Sequence, residues 1–119
     1  MLSWALVALI GALHVYILVL EMVLWETPRT RAAFGTTPEF AAASKVLAAN
    51  QGLYNGFLAA GLFWSLILGL AGQGGKVAGF FLFCVLVAGL YGAATASKRI
   101  LYVQALPAAI ALIVLWLGF

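Results

Sequence analysis

Four apolar runs separated by short stretches of Gly, Pro and charge account for almost the whole chain: about Leu2 to Trp25, Lys45 to Ala71, Val77 to Ala96 and Ile100 to Phe119. Crossing the hydrocarbon of a bilayer as a helix takes roughly 20 predominantly apolar residues, and a segment in lipid must satisfy its backbone polar groups within itself. Of the 119 residues, 66% are hydrophobic and 8% charged, where ordinary soluble domains carry about a quarter charged residues. The sequence therefore predicts an all-α, polytopic membrane protein: one transmembrane domain over residues 1–119, folded as an antiparallel four-transmembrane-helix bundle. The first run lacks a basic leader and a small-x-small cleavage site before Glu26, so it reads as a retained helix and not as a signal peptide.

Charge gives the expected orientation. Arg29, Arg31 and Lys45 flank the first loop and Lys98 and Arg99 the third, whereas the second loop offers only Lys76. By the positive-inside rule the first and third loops face the cytoplasm and both termini are extracytoplasmic. The net charge of +3 sits at these borders and not in a basic patch, so nucleic acid is not an expected partner.

Local signals set the helix ends. Thr27-Pro28 offers an N-cap followed by proline at the first helical position, and Gly35 a stop. Thr37-Pro38-Glu39 repeats the start signal with an acid near the positive end of the next helix. Helices are expected at about 2–25, 38–71, 77–96 and 100–119, with a cytoplasmic loop over 26–37, a tight turn at Gly72-Gln73-Gly74-Gly75 and another at Ser97-Lys98-Arg99. Pro107 cannot donate to the carbonyl of Val103 and is expected to kink the fourth helix beside Gln104.

The polar residues of the runs are the candidates for function. At 100° and 1.5 Å per residue, His14 and Glu21 share one face of the first helix, about 10 Å apart. On the second, Asn50, Gln51, Tyr54 and Asn55 fall within an arc of about 140°, while Gly52, Gly56 and Ala60 form a small-xxx-small ridge on the other side. Tyr91 and Thr95 lie near the end of the third helix, and Gln104 near the start of the fourth. All except His14, which lies about midway, belong to the expected cytoplasmic half. An ionisable group at mid-helix costs about 2.5–3.5 kcal/mol on insertion scales unless it finds a partner or water. The expected arrangement is a polar pocket open to the cytoplasm and closed above by apolar side chains, with Glu21 near its mouth and His14 at its floor.

Three roles fit this set. One is binding or transport of a small polar or cationic solute, with Glu21 and His14 as charge and proton sites and Asn50, Gln51, Tyr54, Asn55, Tyr91, Thr95 and Gln104 as orienting groups. The alternatives are a membrane-embedded acid-base enzyme acting on a lipid-like or quinone-like substrate, and a scaffold or accessory subunit whose polar groups only fix packing. Metal and cofactor binding are not expected, because one His and one intramembrane carboxylate two turns apart do not make a ligand set. Cys84, alone in the third run, reads as an inert apolar-site thiol. The expected partners are the lipid bilayer, a small-molecule ligand and further copies of the chain, although the glycine ridges on helices two and three suffice to pack within one chain.

The stretch Asn50 to Leu62 (NQGLYNGFLAAGL), with His14, Glu21 and Trp25 before it and Ala88 to Ala93 (AGLYGA) after it, resembles an uncharacterised family of small bacterial membrane proteins, a domain of unknown function with four helices. The resemblance implies a multi-pass protein of the bacterial cytoplasmic membrane and carries no activity. In size and helix count the chain is also similar to the small multidrug resistance exporters, which keep a glutamate in the first helix, although Glu21 lies near the end of its helix.

Overall fold

The computed structural model describes residues 1–119 and is all-helical, without strands. Helix α1 spans Leu2–Met22, α2 Pro28–Phe34, α3 Pro38–Leu68, α4 Gln73–Thr95, and α5 Leu106–Leu117, the last entered through a π-helical turn at Leu101–Ala105. Helices α1 and α4, of 21 and 23 residues, are long and apolar enough to cross a membrane. Helix α3 has 31 residues, but Asn50, Gln51 and Asn55 interrupt its apolar run. The apolar stretch Leu101–Leu117 is shorter.

The helix ends follow local chemistry and correct several sequence boundaries. The first helix stops at Met22, not Trp25. The N–H groups of Val23 and Leu24 both donate to Val19 O at 3.0 Å, the second across five residues, and past this widened exit Trp25 is buried. Thr27 caps α2 as its sequence signals, accepting from Thr30 N, and Gly35 ends it in the left-handed region at φ 69°. Thr37 Oγ1 accepts from Phe40 N at 3.1 Å at the start of α3. The second long helix ends at Leu68, three residues early, because Gly69 adopts φ +90°, a conformation that L side chains resist.

The glycine-rich stretch after it is not the turn itself. Residues 69–72 turn, with Gly72 N donating to Gly69 O at 3.1 Å, and Gln73 already begins α4. A Cβ on Gly74 would collide with the Ser65 and Gly69 carbonyls, so glycine lets α4 start against the last turn of α3. The proline of the fourth segment produces a widened turn: Leu106 N reaches back to Leu101 O, five residues away. A π-turn is a usual way to absorb a local break in the helical ladder, and here it stands directly before Pro107.

By packing, the chain divides into two compact units, one formed by Met1–Ala12 and Leu58–Phe119, the other by Leu13–Phe57. The first has a core of Val7, Ile10, Leu62, Leu82 and Val85 filled in by Ala78, Ala108 and Ala111. Small residues bring its helices close: a Cβ on Gly89 would lie 2.6 Å from Ala105 N and 2.9 Å from its Cα. The chain ends meet in this unit, the Met1 ammonium donating to Phe119 O at 2.6 Å and Leu2 N at 2.8 Å. The second unit packs Trp25 against Ala41 and Ala48, with Phe34 edge-on to the indole at 5.0 Å.

Two glycines of α4 should respond oppositely to the same change. Gly89→Ala meets immovable backbone and should destabilise by about 1–3 kcal/mol. Gly79→Ala meets nothing within 4 Å and should gain about 0.5–1 kcal/mol of helix propensity. Thermal unfolding in detergent reads both; a lower Tm for Gly79→Ala or an unchanged one for Gly89→Ala would contradict this packing.

Candidate functional site

The Leu13–Phe57 unit contains a carboxyl group with an unusual setting. Glu21 is half-buried in the last turn of α1, and its Oε1 accepts from Asn55 Nδ2 of α3 at 2.8 Å. The same Nδ2 also donates to Gln51 O at 3.1 Å, so both amide hydrogens of Asn55 are engaged and the side chain is fixed from two directions. Glycine makes the pairing reachable. A Cβ on Gly52 would lie 2.6 Å from Met22 Cγ, 3.0 Å from Glu21 Cβ and 3.2 Å from Leu18 O, and one on Gly56 2.6 Å from Leu18 Cδ1. At these two positions, three residues before Asn55 and one after it, α3 thus presents bare backbone to α1.

No basic side chain forms an ion pair with Glu21. The salt bridge of the chain is Lys45 Nζ to Glu26 Oε1, 3.3 Å and largely exposed, and exposed pairs of this kind contribute little. It stands over an open hollow of about 250 Å³ lined by Met22, Val23, Trp25, Glu26, Thr27 and Lys45. At its base Trp25 Nε1 donates to Ser44 Oγ at 3.1 Å, and Ser44 Oγ donates to Phe40 O at 2.7 Å. The hollow takes in none of the residues nominated from the sequence.

Those residues are dispersed. Asn55 joins Glu21, whereas Asn50, Gln51 and Tyr54 are exposed on α3. Asn50 Nδ2 turns back on Val46 O at 2.9 Å, and Tyr54 packs its ring near Phe57 at 6.1 Å. His14 is wholly buried and makes a polar or electrostatic interaction there. Tyr91, Thr95 and Gln104 belong to the other unit: Tyr91 is exposed, Thr95 Oγ1 donates to Tyr91 O at 2.7 Å, and Gln104 is half-buried in the π-turn. Of the small-residue ridge, Gly52 is buried as expected, while Ala60 is exposed.

A family model described as "Protein of unknown function (DUF1304)" matches residues 8–116. The chain belongs to this family. The match takes in His14, Glu21 and the whole Asn50 to Leu62 block, in agreement with the resemblance to an uncharacterised family that these residues carry. No curated protein and no solved structure matches this DUF1304 chain. Sequence reasoning found Glu21 and Asn55 but did not pair them. The usable signal was Gly52: a glycine three residues before Asn55 on a long helix marks where another backbone comes close.

Gly52→Val should separate α1 from α3 and cost about 1–3 kcal/mol, and Asn55→Ala, which removes one interhelical hydrogen bond, about 1 kcal/mol. Melting in detergent distinguishes them; equal Tm values for wild type and Gly52→Val would contradict the close approach at Glu21.

Proposed function

We propose that this DUF1304 protein crosses a bacterial cytoplasmic membrane four times, as an antiparallel bundle with both termini outside, and binds a small cationic or polar solute at Glu21 from the cytoplasmic side. The observation that carries this reading is the half-buried Glu21 carboxyl, steered by Asn55 through one oxygen and paired with no cation of the chain. A carboxyl group in an apolar setting is costly unless it is neutralised by a proton or a counter-charge, and a group that exchanges one for the other is the working part of a cation-binding or proton-coupled transport site. Four crossings are supported by the four apolar runs of the sequence, each about as long as a membrane-spanning helix. The basic residues at the first and third loops support the orientation.

The bundle rests on α1, α3, α4 and the π-turn with α5. Two of these meet the length and apolarity of a membrane helix by themselves; α3 crosses with its carboxamides accommodated, and the fourth segment is the short one. A structural role for the same pair is favoured by a separate observation, the backbone contact at Gly52, which makes Glu21 and Asn55 a lock between α1 and α3.

Proton release separates the two readings. Glu21→Gln keeps an oxygen that accepts from Asn55, so the helices stay joined while the charge is removed. In weakly buffered detergent solution near neutral pH, ethylammonium added to the wild type should displace protons, and Glu21→Gln should abolish the release without lowering Tm. Equal release from both proteins would remove Glu21 from the function, and no release from either would leave the lock as its role. Orientation is tested by single cysteines replacing Arg31, Lys76 or Lys98 in a Cys84→Ala background. A membrane-impermeant maleimide should reach positions 31 and 98 only in inverted vesicles and position 76 only in intact cells. The opposite pattern would overturn the topology.

A further inference from the structure

On the reading that α3 crosses a membrane, one of its faces holds a carboxamide, which acyl chains cannot satisfy, among apolar side chains. Ala43, Val46, Asn50, Leu53 and Phe57 follow one another at steps of three, four, three and four residues, and each is exposed. The apolar members are substantial, with Val46 76%, Leu53 40% and Phe57 58% exposed. This alternation is the spacing of a seam between two coiled helices, in which a lone Asn among apolar residues specifies register and the number of strands.

Asn50 is that residue. Its bond to Val46 O uses one amide hydrogen, leaving the second and the carbonyl oxygen. It lies five residues, about 7.5 Å along the axis, beyond Lys45, where acyl chains supply neither donor nor acceptor. A carboxamide is complementary to itself across a two-fold axis, because each can donate to the oxygen of the other, and a two-fold contact places the same surface on both sides. Lys45 and Asn55 each lie about 140° around the helix from Asn50. The axis therefore keeps the two Lys45 side chains apart and leaves the Glu21 pairing untouched, while Glu39, at the exposed start of the same stripe, meets its counterpart only at the end of the seam.

We propose that α3 forms the seam of a parallel homodimer along this stripe, with Asn50 of one protomer hydrogen-bonded to Asn50 of the partner subunit. The occupant is a second copy of this chain: a lipid would leave the carboxamide unanswered, whereas a copy answers it with an identical group in register.

The test uses the full chain in native membranes, in a Cys84→Ala background, with single cysteines replacing Val46, Asn50, Leu53 or Phe57. Controls replace Ala42 and Gln51, which are also exposed but lie about 80° and 100° from Asn50. Under mild oxidation the stripe positions should give a disulfide-linked species of twice the chain mass, several-fold more abundant than at the controls. Asn50→Leu should weaken association about threefold to tenfold, the worth of an interhelical hydrogen bond in lipid. Equal cross-linking at all positions, none at the stripe, or an adduct of another mass would overturn the seam. Alkaline carbonate treatment of the same membranes separates the causes. Release of the protein would overturn the membrane reading and the seam with it, whereas retention without cross-links would overturn the seam alone.

Discussion

The peptide backbone itself is the constraint on which this structure rests. With 8% charged residues in the chain, few side chains can answer backbone donors and acceptors, and an apolar surrounding offers none. Helix is the conformation that closes this account within a single segment, and the chain takes it wherever proline and left-handed glycine allow. The exceptions carry their own substitutes: Thr27 and Thr37 cap the helices that begin beside them, and the π-turn at Leu101–Ala105 keeps a backbone bond from Leu106 to Leu101 next to a proline.

Once helices are given, specificity has to come from how closely they approach, because side chains as apolar as lipid gain little by touching each other in a bilayer. Glycine and alanine supply that approach. Gly89 lies against the backbone of Ala105, Gly74 against the carbonyls of Ser65 and Gly69, and Gly52 against Leu18 and Glu21. The last of these links packing to chemistry. Bare backbone at Gly52 lets the carboxamide of Asn55 reach the carboxyl of Glu21, so the feature that joins α1 to α3 also determines how the one acidic group of α1 is presented.

Much of the fold was legible because its signals are local. The cap at Thr27, the stop at Gly35 and the start at Pro38 are each decided within a few residues, and the structure keeps them. The ends at Met22 and Leu68 were misjudged because apolar residues continue past both, while the chain is turned by tertiary packing of Trp25 in one case and by positive φ at Gly69 in the other. The polar residues were found by type but not by orientation. Helical spacing places Asn50, Gln51, Tyr54 and Asn55 on one arc, yet the neighbour on α1 meets only the edge of that arc, at Asn55. Which part of a helix meets its neighbour depends on the glycines opposite, and a count of polar groups does not contain it.

Covalent labelling with dicyclohexylcarbodiimide, an apolar reagent selective for carboxyl groups in lipid surroundings, tests the standing of Glu21 most directly. The chain has three acidic residues, Glu21, Glu26 and Glu39, so peptide mass spectrometry assigns the adduct without ambiguity. A cation-binding carboxyl in an apolar setting predicts modification at Glu21 in preference to Glu26 and Glu39, with ethylammonium protecting it in proportion to its concentration. Labelling spread evenly over the three, or labelling of Glu21 that ethylammonium leaves unchanged, would contradict it.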